Sequence, residues 1–307
     1  MADIVGIGCA VFDYMLLLEK WPEEDTKTGS LESKIQCGGP CAVAMIAASK
    51  LGISSAYIGK VGDDLFGLTI KERLEHYGVD TSALTVVPGG SSSRCVVLSN
   101  QQNASRTCIG GGGGGDERMR LKPEEIDPER IRRAKFLHLD GSNPQAALHA
   151  AKLARQFGVK VCLDVEGTWP GIDELLQWVD VLIPSERCAY RLTGSEDDEF
   201  AAWYIYRKYH PQVLVVTQGS RGGILLTDDT LTRYPAFKVD AKDTNGAGDV
   251  FHGAWIAAAL MGKDPHEATR FAAAASAIKC THFGASEGAP RLEEVERFLA
   301  NREGGIS

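Results

Sequence analysis

The stretch whose residue types could do the most chemistry is Asp243-Thr244-Asn245-Gly246-Ala247-Gly248-Asp249-Val250-Phe251-His252-Gly253-Ala254. Short apolar runs precede it. From Val250 to Met261 the chain is nearly unbroken Ala, Trp, Ile, Leu and Phe, closed by Gly262. The order is therefore strand, glycine turn, buried helix. Gly246, Ala247 and Gly248 carry almost no side chain, so a ligand could approach their backbone N–H groups closely. Those donors stand at a helix N-terminus, where the dipole favours negative charge. Asp249 is the odd member of an anion pocket and needs another task. Beside a bound phosphate, an acceptor-only group suits the removal of a proton from an incoming hydroxyl. A glycine turn with an Asp near the N-cap is the plain alternative, and the agreement along the whole stretch speaks against it.

The elements that must position this turn can be read from the rest of the chain. Ile4 to Ala10 is a short apolar run with glycines, a natural buried first strand. It is no dinucleotide fingerprint, because Val11 stands where the third glycine belongs and Phe12-Asp13 follows where a helix should begin. Tyr14 to Lys20 and Ser30 to Gln36 read as strands, and Cys37-Gly38-Gly39-Pro40 as a turn into an Ala-rich helix ending near Leu51-Gly52. Arg94 to Ser99 and Arg106 to Ile109 alternate like a hairpin. With the pair after Asp13 they make a small four-stranded sheet without helices of its own. Gly110 to Gly115 is the only low-complexity segment, a floppy loop or a binding loop. From Phe136 onward strands alternate with helices: Phe136–Leu139, Val159–Leu163 and Val181–Pro184, then Val213 to Thr217 with a glycine turn behind it. Such alternation argues a parallel sheet with helices on both faces and a site at the carboxyl ends of the strands. His138-Leu139-Asp140, Asp164-Val165-Glu166 and Pro184-Ser185-Glu186 end there.

The stretch from Asp243 resembles the second signature of the PfkB family of carbohydrate kinases, DTxGAGDxF, found on the ribokinase-like fold. Gly59-Lys60-Val61-Gly62-Asp63-Asp64-Leu65-Phe66-Gly67, with Leu74, Gly78, Val79 and Asp80, is similar to its first signature, GxVGxDxxG…L…GVD. Physically this is a turn, an Asp-capped helix and a glycine C-cap. The resemblance runs from Gly6 to about Pro290. It implies Gly246, Ala247 and Gly248 as the anion hole and Asp249 as the base. It implies Asp13, Gly38 and Gly39 as sugar contacts. The strand-end residue His138 and the basic lid residues Arg94 and Arg106, with Lys27, are further acceptor candidates on their own chemistry. Ser185, Thr217, Gly219, Gly222 and Gly284 are implied on the nucleotide side, ATP and Mg²⁺ as cofactors, and Glu186 as a Mg²⁺ ligand through water. Asp243 and Ser286 are the candidates for a monovalent cation, K⁺.

Two departures bear on the acceptor. Val43 stands where relatives place an Asn that bonds a sugar hydroxyl, and Ser185-Glu186-Arg187-Cys188 replaces the family's NxxE. A sulfosugar, sugar phosphate or nucleoside acceptor therefore stays open beside a neutral sugar. So do a catalytically inactive sugar or nucleotide sensor and, least supported, a nicotinamide dehydrogenase.

Composition sets outer bounds. At 307 residues and 44% hydrophobic, the chain can bury a large core. Its net charge of −8 argues against nucleic acid as a partner. No apolar run approaches the ~20 residues of a membrane span, so no membrane partner is expected. The opening Met1-Ala2-Asp3 lacks a basic segment. The eight cysteines form no CxxC pair, which points to free thiols in a reducing compartment, without zinc. The expectation is a cytoplasmic α/β kinase, with a doubly wound, mostly parallel sheet flanked by helices and a small β-sheet lid. Residues 1–12, 38–90 and 113–307 form the core and 13–37 and 91–112 a discontinuous lid. The lid's open face calls for a homodimer joined through the lids.

Overall fold

The computed structural model describes residues 2–112 and 115–303, so Gly113 and Gly114 of the glycine run lie outside the described residues, as do Met1 and 304–307. In chain order the strands are β1 (Ile4–Ile7), β2 (Val11–Leu18), β3 (Glu32–Gly38), β4 (Ser55–Gly62), β5 (Asp80–Val87), β6 (Arg94–Asn100) and β7 (Arg106–Gly111). They continue as β8 (Phe136–Leu139), β9 (Lys160–Val165), β10 (Val181–Pro184), β11 (Val213–Thr217), β12 (Gly223–Thr227) and β13 (Thr230–Tyr234).

Nine of these form one sheet in the order β13-β12-β11-β10-β9-β8-β1-β4-β5. Every pairing from β5 to β11 is parallel, and only the β11-β12-β13 edge is antiparallel. Runs such as Val213-Leu214-Val215-Val216 are buried throughout, as a strand covered on both faces must be. One face is covered by helices Pro40–Lys50, Ala247–Leu260 and Pro265–Cys280, the other by Pro144–Phe157, Glu186–Thr193 and Asp198–Tyr209. This is the doubly wound α/β fold expected from the alternation. Strand order reverses at β1, which lies between β4 and β8, so the crevice belongs at the carboxyl ends of β1 and β8.

The other four strands form a separate sheet, β3-β2-β6-β7, in which β2 and β6 run parallel and the two outer pairs antiparallel. Its inner face meets the body of the protein through Met15, Leu17, Val97 and Phe283. Its outer face carries Tyr14, Ile35, Val96 and Ile109, which are register partners across all four strands. All four are exposed.

Among the described residues no helix is long and apolar enough to cross a membrane. All eight cysteines are free.

Candidate active site

Gly246 caps the helix Ala247–Leu260 with φ of 77°, a left-handed conformation. A Cβ there would overlap the Ala285 Cβ and lie 2.9 Å from the Ala285 Cα. Ala247 N–H donates to Thr244 O at 3.3 Å and Val250 N–H to Gly246 O at 3.0 Å. Between them stand the N–H groups of Gly248 and Asp249, first-turn donors with no carbonyl of their own helix to bond. Nothing lies within 4 Å of a Cβ placed on Gly248, so space opens in front of these donors. A cavity of about 730 Å³ begins here, lined by Ala247, Gly248, Thr244, Arg106, Thr217 and Gly219 among others.

Asp249 sits in that first turn, half-buried. Its carboxyl is pushed up to about 8, first by burial and then by the Asp164 and Glu166 carboxylates, with the Arg106 guanidinium opposing them. Asp164, itself buried, is raised to about 8 by desolvation and by Asp140. Glu166, just past the end of β9, is raised by desolvation and by Asp164. One turn along the helix from Asp249, His252 Nε2 lies 3.3 Å from Asp164 Oδ1. Burial holds this imidazole down to about 3, so the contact joins a neutral ring to the carboxyl.

Of the residues expected to meet the acceptor, Asp13 is buried in β2 and raised to about 7, chiefly by burial, with Asp249 and Asp243 adding to the effect and Gln36 opposing it. A Cβ on Gly38 would overlap the Asp13 carboxylate, which is why β3 ends in glycine. Gly39 follows at φ 93° as the N-cap of helix Pro40–Lys50. Asp140 Oδ2 accepts from Cys9 N at 2.6 Å and Cys41 N at 3.3 Å and pins this helix to the end of β1. Val43 is wholly buried and offers no hydrogen-bonding group to an acceptor.

The basic candidates separate. Arg106 lines the cavity and its Nη1 lies 3.4 Å from Thr244 Oγ1. Arg94 pairs with Phe12 in the register and shares the outer face with Val96, its guanidinium 5.1 Å from the Phe66 ring centroid and its Nη1 bonded to Ser91 Oγ at 3.1 Å. His138, expected near the acceptor, is fully buried beneath the site, its ring 5.5 Å from that of His252 and neither nitrogen hydrogen-bonded. His138, Cys162 and His252 bring three donor atoms within 4.8 Å of one another. No sequence spacing announces this group, because each residue comes from a different element.

Of the residues expected at the nucleotide, Thr217, Gly219 and Gly222 line the cavity. Ser185 caps helix Glu186–Thr193, accepting from Cys188 N at 3.3 Å, and bridges to Thr217. Glu186 carries a contact its sequence position does not signal, because Arg221 of the Gly219–Arg221 turn engages its carboxylate. Gly284 serves Asp243 instead of lining the cavity, its N–H donating to Asp243 Oδ2 at 3.0 Å. Asp243 is fully buried, and the Nζ of buried Lys279 lies 3.6 Å from its Oδ2. Ser286 Oγ is buried without a hydrogen-bond partner. Asp164, Glu166, His252, Gln36 and Lys279 were given no role by the sequence; only the strand-end position of Asp164-Val165-Glu166 signalled any of them.

The pfkB family carbohydrate kinase profile matches residues 1–292. The chain is 32% identical over 305 residues to an ATP-dependent ribose-1-phosphate kinase of Halopiger xanaduensis, covering 98% of this chain and 99% of the relative. The structure of Arabidopsis thaliana ribokinase complexed with ribose and ATP superposes with a TM-score of 0.83 at 27% identity, covering 97% of this chain and 98% of that one. Thermotoga maritima ribokinase gives 0.82 at 27%, covering 98% and 100%.

Proposed function

The chain belongs to the pfkB family of carbohydrate kinases, and on that premise we propose that it transfers the γ-phosphate of ATP to a hydroxyl of a sugar. The observation that carries this reading is the placement of Asp249 in the first turn of a helix whose N-terminus opens on the cavity. In the reaction, Asp249 accepts the hydroxyl proton while the sugar oxygen bonds to the γ-phosphorus and the bond to the ADP oxygen breaks. The N–H groups of the Gly246–Gly248 turn and of Asp249 stabilise charge on the transferring group. Mg²⁺ borne by the ATP phosphates supplies further neutralisation when bound. Glu186, the residue expected to serve it through water, would do so with a carboxylate that Arg221 also engages.

The acceptor best supported is a sugar that carries an anionic group, such as a sugar phosphate. Val43 removes a hydroxyl-binding amide, and Arg106 offers a guanidinium suited to phosphate oxygens. The Halopiger relative, which phosphorylates ribose 1-phosphate by its name, points the same way. ADP release with ribose 1-phosphate, ribose, deoxyribose, fructose and fructose phosphates tests the reading, and no acceptor-dependent release from any of them would refute it. Arg106→Ala is expected to raise KM for the preferred acceptor roughly 10- to 100-fold, the loss of a hydrogen bond to a charged group. KM for ATP should change far less. Arg94→Ala, on the outer face, should alter neither, and equal effects of the two substitutions would contradict this assignment.

Residues 13–37 and 91–112 act in this reading as the lid over the acceptor. The exposed apolar row Tyr14, Ile35, Val96 and Ile109 supports pairing with a second copy, since one isologous contact covers both faces. Light scattering is expected to give twice the chain mass at micromolar concentration, and a fully active monomer would rule the dimer out.

A further inference from the structure

Lys279 lies in the last turn of helix Pro265–Cys280 with its side chain fully buried. A lysine so placed needs a partner, because water is no longer there to solvate the ammonium. Its Nζ donates to the Asp243 backbone carbonyl at 2.7 Å and lies 3.6 Å from Asp243 Oδ2. The same carboxylate gathers three further segments. Oδ1 accepts from Ser99 Oγ of the small sheet at 3.2 Å and from Asn245 N of the anion turn at 3.0 Å. Oδ2 accepts from Gly284 N of the C-terminal loop at 3.0 Å. The lysine stem reaches inward past Gly288, where an added Cβ would stand 3.4 Å from Lys279 Cε.

This bears on the monovalent cation expected at Asp243 and Ser286. The Asp243 charge is already matched by the ammonium, and a potassium ion there would set a second cation against one buried carboxylate. The residues present therefore do not fit an exchangeable K⁺. We propose that Lys279 is a tethered monovalent cation: its ammonium fixes Asp243 and, through Asn245, the turn that presents the N–H groups of the anion hole. Lys279 is a positioning residue and touches neither substrate. This inference rests on the kinase reading for its consequence, activity that does not depend on K⁺.

The test compares wild type, Lys279→Ala and the volume-matched Lys279→Met in potassium chloride and in tetramethylammonium chloride of equal ionic strength. Wild-type turnover and thermal midpoint are expected to be the same in both salts. Lys279→Ala should lose about 10²-fold in turnover in tetramethylammonium, the scale of a misplaced catalytic array. It should regain most of that loss in potassium or ammonium, which can enter the vacated space, and its thermal midpoint should rise with potassium alone. Lys279→Met fills that space and should lose activity without rescue. Strong activation of the wild type by potassium would overturn the proposal. So would a folded Lys279→Ala protein that is equally active in both salts. If Lys279→Ala does not fold, the wild-type comparison and Lys279→Met decide. The thermal-midpoint arm needs no sugar, so it separates failure of this inference from failure of the kinase reading.

Discussion

Asp249→Asn is expected to bind ATP as the wild type does and to lose ~10²–10⁴-fold in turnover, the usual contribution of a general base. The amide keeps the volume and leaves the helix N-terminus in place, so the anion-hole donors should stay where they are. What it cannot do is take a proton. Titration calorimetry for ATP beside steady-state rates separates the two properties, and turnover within a few-fold of wild type would remove Asp249 from the role. The same carboxyl sets the pH dependence. Burial, Asp164 and Glu166 raise it to about 8, and the base must be ionised to work. Activity of the free enzyme should therefore be low where the carboxyl is protonated and climb with pH through about 8 to a plateau. Glu166→Gln removes one of the charges that raise it, so the rising limb should move to lower pH, whatever the change in absolute rate.

Gly246→Val carries the second large effect, because two independent faults coincide at one atom. Valine at φ 77° is strained by roughly 1–2 kcal/mol in the left-handed region. Its Cβ would also overlap the Ala285 Cβ in a packed wall, a kind of overpacking that costs ~1–3 kcal/mol. Relief requires the turn to move, and with it the Gly248 and Asp249 N–H groups. Loss of a single oxyanion-type donor costs ~10²–10³-fold in turnover. The variant should show a lowered thermal midpoint and a collapse of turnover together. Gly248→Ala provides the contrast. Nothing in the protein lies within 4 Å of its added Cβ, so the midpoint should hold while ATP-dependent turnover falls, because the methyl group projects into the space left for phosphate. A stable, active Gly246→Val protein would show that the turn geometry is not needed.

What the sequence made legible is what is local in the chain. Gly246, Ala247, Gly248 and Asp249 fix both a turn and the start of the helix behind it, so the turn could be placed before any tertiary contact was known. The same holds for the Asp64 cap and for the alternation of strand and helix after Phe136. What escaped depends on pairing across the fold. Arg94 and Arg106 both read as strand residues, and only the register shows that Arg94 joins the outer face with Val96 while Arg106 pairs with inward-facing Ser99. A strand shows its alternation in sequence but not which parity faces in. His138 lies one residue inside the end of β8 and is therefore sealed under the site, where a residue at the strand's carboxyl end would have faced the crevice. The Glu186–Arg221 pair and the Lys279–Asp243 pair join distant segments, and neither lysine nor arginine announces its partner by type.

Direct transfer from ATP to a sugar hydroxyl, with Asp249 taking the proton, is the reaction proposed. Phosphorus NMR of the protein with ATP, Mg²⁺ and ribose 1-phosphate tests it most directly. The predicted result is one new phosphomonoester resonance for each ADP formed, and no such resonance on the same time scale with Asp249→Asn. ADP accompanied by inorganic phosphate alone, or a phosphomonoester formed equally well by Asp249→Asn, would contradict it.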